Sequence, residues 1–87
     1  MPQYRMLLSI SMETEVEKAV VPLGGVEKEE FFDTDELAKD CVRGLVEDWK
    51  TKAKEQKITL LRFKYAVFRV GTDAPILQAE ETTELPN

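Results

Sequence analysis

Three groups of residues have types and spacings that bear on chemistry. Glu27, Glu29, Glu30, Asp33, Asp35 and Glu36 form a dense acidic run. Such a run suits a hard cation or the cationic side chains of a protein partner. Calcium loops set carboxylates at fixed alternate positions around a central glycine, and this run lacks that pattern. A basic protein surface is therefore the better match. Lys50, Lys52, Lys54, Arg62, Lys64 and Arg69 form the opposite group, of the type that neutralises phosphates. Cys41 stands alone as the only thiol, which excludes an intramolecular disulfide.

The chain has no histidine. That removes the commonest general acid–base group and the commonest metal ligand. It also leaves Cys41 without the usual activating base, so Cys41 reads as a buried structural residue. Carboxylates plus one thiol are a poor zinc set. Gly24, Gly25, Gly44 and Gly71 fall in no phosphate-loop pattern. These absences point away from an enzyme and imply neither metal nor cofactor.

The elements that must position these groups follow from periodicity. Tyr4, Met6, Leu8, Ile10 and Met12 alternate with Arg5, Leu7, Ser9 and Ser11, the period of a strand with one buried face. Glu13–Leu23 is open to two readings. Val16, Ala19, Val20 and Leu23 fit a helix, with Thr14 and Glu17 spaced as a capping box. The short apolar run Ala19-Val20-Val21 instead fits a strand returning beside the first, which is preferred because it supplies a partner. Pro22 and Gly24-Gly25 are expected to end the element. Val26–Phe32 reads as another short strand, and its charged middle suggests an edge.

The strongest signal is a helix over about Thr34–Gln56. Asp33 or Thr34 serves as N-cap, and Asp33 with Glu36 has capping-box spacing. Leu37, Ala38, Cys41, Val42, Leu45, Val46, Trp49 and Ala53 recur at three- and four-residue steps as one apolar stripe. Gly44 within it suggests close approach to a sheet. Ile58–Val70 then reads as a long strand, with Leu61, Phe63, Tyr65 and Val67 on one face. Gly71–Pro75 is a turn, Ile76–Thr83 a returning strand and Glu84–Asn87 a frayed tail. The sum is an α+β domain spanning 1–87: an antiparallel sheet of four or five strands, in the order β-β-β-α-β-β, with one long amphipathic helix on one face.

The size is that of one domain, 87 residues long, which buries about 60% of its unfolded surface. No stretch approaches the ~20 apolar residues that cross a bilayer. The opening Met1-Pro2-Gln3-Tyr4-Arg5 is a poor signal peptide, so a cytoplasmic location without a membrane partner is expected. The net charge is −5, and it is segregated along the chain. Glu13–Glu36 holds nine acidic residues against Lys18 and Lys28, whereas Lys50–Arg69 holds seven basic residues against Glu55.

Within the basic stretch, Lys64-Tyr65-Ala66-Val67-Phe68 resembles the central-strand motif of RNA-recognition domains, whose aromatics stack on bases. The likeness spans five residues and lacks the glycine before the first aromatic. In size and charge alone, the chain resembles the small acidic α+β proteins with which phages and mobile elements inhibit host machinery, anti-CRISPR proteins among them. Three functions follow as expectations. The first is a non-enzymatic protein-binding module whose acidic surface meets a basic partner. The second is nucleic-acid binding through the basic helix end and long strand, against which the net negative charge weighs. The third is self-association as a homodimer or accessory subunit, a route by which small domains gain buried area.

Overall fold

A computed structural model of the chain describes residues 1–13, 20–56 and 58–84. Its elements are β1 (Gln3–Glu13), β2 (Val20–Phe31), α1 (Asp35–Glu55), β3 (Leu60–Arg69) and β4 (Pro75–Glu84). All neighbouring strands are antiparallel, in the order β2-β1-β3-β4. The expected α+β architecture is present, with β-β-α-β-β rather than β-β-β-α-β-β order. The helical alternative for Glu13–Leu23, its capping box and the tail at 85–87 lie outside the described residues, apart from Glu13, Val20–Leu23 and Glu84, which are all in strands.

The missing strand is accounted for by β2. Pro22 and Gly24-Gly25 do not end an element; one strand runs through them to Phe31. Two features make this possible. β2 is an edge strand, where a proline's missing N–H can face away from the ladder. The register with β1 also slips between Ile10 and Ser11, so that Ile10 faces Gly24, Ser11 faces Pro22, and Leu23 is left as a bulge. A bulge re-aims a side chain. Here Leu23 packs against the cluster of Leu8, Ile10, Val46 and Phe63.

Alternation puts Tyr4, Met6, Leu8 and Ile10 of β1 beside Leu61, Phe63 and Val67 of β3 on one face, all of them buried. α1 covers this face with Ala38, Val42, Val46 and Ala53. Each buried aliphatic or aromatic side chain contributes roughly 1.5–3 kcal/mol relative to exposure. The helix starts where Thr34, in extended conformation, accepts the Leu37 N–H at 3.3 Å through Oγ1. Thr34 is thus the cap, and the Asp33/Glu36 box is not used. Asp35 and Glu36 in the first turn and Lys52 and Lys54 in the last complement the helix dipole.

Two expectations about the stripe need correction. Leu37 is 47% exposed. It stands a full 100° around the helix from Ala38, at the first turn, on the flank whose next members, Cys41 and Leu45, are only partly buried. Gly44 faces solvent, and a Cβ there would meet no atom within 4 Å. It makes no close approach to the sheet.

Candidate interaction face

Among the described residues, no other element covers the face of the sheet away from α1. Its layout follows from strand register. Leu7 of β1 stands between Glu27 of β2 and Ala66 of β3, and Ala66 faces Gln78 of β4. In the next row towards one end are Glu29, Arg5, Phe68 and Pro75; towards the other are Gly25, Ser9, Lys64 and Glu80. Beyond these, Ser11, Arg62 and Thr82 share a row with Pro22. The two central strands therefore carry Leu7, Ala66 and Phe68, all half-buried, while the two outer strands carry carboxylates.

Small residues make this face concave. A depression of about 600 Å³ is lined in part by Leu7, Ser9, Gly25, Ala66, Glu27 and Glu80. A second, of about 360 Å³, shares Leu7 and extends past Arg5, Phe68 and Val70. The first crosses all four strands, the second runs towards the turn after β3, and they share Leu7 at the centre of a shallow trough. At the far end of this face Val70 and Phe31 are 47% and 60% exposed.

The charges on this face pair laterally. Arg5 bonds Glu27, Lys64 lies 3.4 Å from Glu80, and Arg62 donates to Glu13 at 2.9 Å. Glu29 accepts from the neutral amide of Gln3 at 3.3 Å. Glu13, Glu27, Glu29, Glu80 and Glu84 outnumber Arg5, Arg62 and Lys64 on the open face, so it keeps a negative balance. Exposed pairs of this kind are each worth at most about 1 kcal/mol and yield readily to a competing partner.

The six acidic residues singled out in the sequence are not brought onto one surface. Glu27 and Glu29 face the open side. Glu30 shares the helix side of β2 with Lys28, 2.6 Å away. Asp33 is exposed in the link to α1, and Glu36 pairs with Lys39 at 3.1 Å. Asp35 is taken into a network: it accepts the Tyr4 hydroxyl at 2.5 Å, and Arg69 lies 3.4 Å from the same oxygen. The hydrogen bond to Asp35 holds the Tyr4 hydroxyl above its usual range, and burial adds to it. This network fastens the start of α1 to both central strands.

The six basic residues are divided as well. Arg62 and Lys64 lie on the open face, whereas α1 carries Lys50, Lys52 and Lys54 on the opposite side of the sheet. Arg69 is engaged with Asp35. Lys52 lies over the Trp49 ring at 5.2 Å, and Lys50 reaches Glu81 at 2.6 Å and Glu47 at 3.1 Å. The helix end and the outer strand face thus do not join as one basic surface. Of the aromatics in that stretch, Phe68 alone reaches the open face: Phe63 is buried, and Tyr65 packs against the helix-side clusters.

Lys50 and Glu81 tie α1 to edge strand β4. The bond from Lys50 draws the Glu81 carboxyl below its usual range, and the same bond raises Lys50. A depressed carboxylate stabilises the fold above its ordinary pKa, and that contribution fades as pH falls through the depressed value. Glu81→Gln should therefore lose stability at neutral pH and show a shallower acid limb below about pH 4.5. Glu81's side chain is 36% exposed, so solvent limits the loss to about 1 kcal/mol. Urea midpoints taken across pH for both proteins measure it; identical acid limbs would discard the bond's role.

Cys41 is half-buried beside Lys28 and Glu30, and burial pushes its thiol pKa up, away from nucleophilic character. Among the described residues no group of three or more Cys, Asp or Glu side chains is arranged to hold a metal ion, and no helix is long and apolar enough to cross a membrane. No family model matches the chain, and neither the curated proteins nor the solved structures contain a significant match to it.

Proposed function

We propose that the protein is a non-enzymatic protein-binding module that uses the open face of its sheet to hold a partner bearing cationic side chains. The observation that carries this reading is the trough itself: half-buried Leu7, Ala66 and Phe68 on the central strands, with Arg5 and Lys64 beside them paired to Glu27 and Glu80, and a net acidic border of Glu27 and Glu29 on one side and Glu80 on the other. An apolar centre with a polar rim is the ordinary anatomy of a protein interface. Acidic rims select the sign of the partner's charge and speed its approach.

Self-association through the β2 edge fits less well. Two copies of β2 pairing antiparallel about Lys28 set Glu27 against Glu29, and centring on either glutamate sets it against itself. Like charges directly opposite are destabilising. Nucleic-acid binding is disfavoured by the division of the cations between two sides and by their internal pairing.

Geometry sharpens the test. E27K/E29K reverses the open-face rim, whereas E30K alters the helix side. With purified protein as bait in a lysate of the native host, the double variant should reduce capture of the partner by about tenfold or more. E30K should leave capture near that of the wild type. Equal capture by the double variant would sink the reading.

A further inference from the structure

The helix side of this sheet records how it accommodates a helix. α1 lies over the central strands β1 and β3, against their apolar residues. The outer strands bracket it with Glu30 on β2 and Glu81 on β4, and Lys50 reaches sideways from the helix flank to Glu81. The open face shares part of this layout. Leu7, Ala66 and Phe68 lie on the central strands, interspersed with Arg5, Ser9, Arg62 and Lys64, and Glu27 and Glu29 on β2 and Glu80 on β4 flank them.

We infer that the segment seated on the open face is an amphipathic α-helix of the partner, its apolar stripe over Leu7 and Ala66 and lysines or arginines along both flanks. The inference rests on the open face being the binding surface. Dimensions agree with it. Strands spaced about 4.8 Å apart put β2 and β4 roughly 14 Å from each other. A helix about 10 Å across lies between them with its flanks within reach of both carboxylate rows. The depression over Ser9, Gly25 and Ala66 leaves room for a large apolar side chain from that stripe.

An extended segment added at β2 fits less well. Pro22 withholds a donor and the Leu23 bulge breaks the ladder, so the N-terminal half of that edge offers no regular template. Charge complementarity also differs between the two arrangements. An added strand would meet one acidic row, whereas a helix over the centre meets both.

Two synthetic peptides of equal leucine and lysine content separate the cases. One carries leucine at helical spacing with lysine on both flanks; the other alternates the two residues as a strand. Fluorescence anisotropy gives affinities, and far-UV circular dichroism of the mixtures gives helix content. The helical-pattern peptide should bind at least about tenfold tighter than the strand-pattern peptide and gain helix on binding. E27K/E80K, which reverses both rims at exposed positions, should weaken it by about tenfold. Tighter binding of the strand-pattern peptide, or binding without gain of helix, overturns the inference. In that event the open-face reading stands if Leu7→Glu abolishes the binding, and it falls as well if Leu7→Glu leaves the binding unchanged.

Discussion

Phe63→Ala should cost about 3–5 kcal/mol, a large share of what a small domain has. Phe63 is 1% exposed and lies in register between Ile10 of β1 and Glu81 of β4. It belongs to the cluster with Leu8, Val46, Ala53 and Leu61, where α1 meets the sheet. The ring's removal forfeits its burial and leaves a void that β3, paired on both sides, cannot close. Urea denaturation followed by circular dichroism reads the loss as a lowered midpoint. Phe68→Ala is the control. Its ring is on the other face of the same strand and half-buried, so its loss should be clearly smaller. Equal losses would mean that the helix covers the wrong face.

Leu7→Glu should have the opposite profile. Leu7 sits between Met6 and Leu8 in β1, yet those two are buried under α1 and Leu7 is turned away from it. A glutamate there changes strand propensity and pairing by at most about 1 kcal/mol, so the domain stays folded. The partner, however, loses an apolar contact at the trough centre and meets a charge beside Glu27. Central contacts of an interface cost about 2 kcal/mol or more when lost, so capture should fall roughly 30-fold. Leu7→Ala separates shape from charge and should cost less. A Leu7→Glu protein that is folded and captures its partner at wild-type strength would remove the open face from the account.

Where period and face were set locally, the sequence was legible. The alternation of Tyr4–Met12, the stripe through Ala38, Val42 and Val46, and the row Leu61-Phe63-Val67 all lie where periodicity puts them. The reading failed at β2 because Pro22 and Gly24-Gly25 act as terminators only where every backbone group must join a ladder. An edge strand with a bulge is exempt from that requirement. It failed again for charge, for a different reason. Period two sends successive residues to opposite faces, so Glu29 and Glu30 part company although they are adjacent in sequence. Surfaces are instead assembled across strands, as when Glu27 meets Arg5 and Lys64 meets Glu80.

The contacts from Tyr4 and Arg69 to Asp35 and from Lys50 to Glu81 were likewise out of reach, since each joins residues some thirty or more apart. One signal was available. Tyr4 and Arg69 continue the inward-facing rows of their strands, and polar tips in such rows need a partner.

The most direct test of the central claim is to map the bound partner on the protein by methyl-labelled NMR. On addition of the captured partner, the methyl groups of Leu7 and Ala66 should shift or broaden, while those of Leu37 on the exposed flank of α1 should not. A footprint centred on Leu37 and the outer surface of α1, with Leu7 and Ala66 unmoved, would contradict the account.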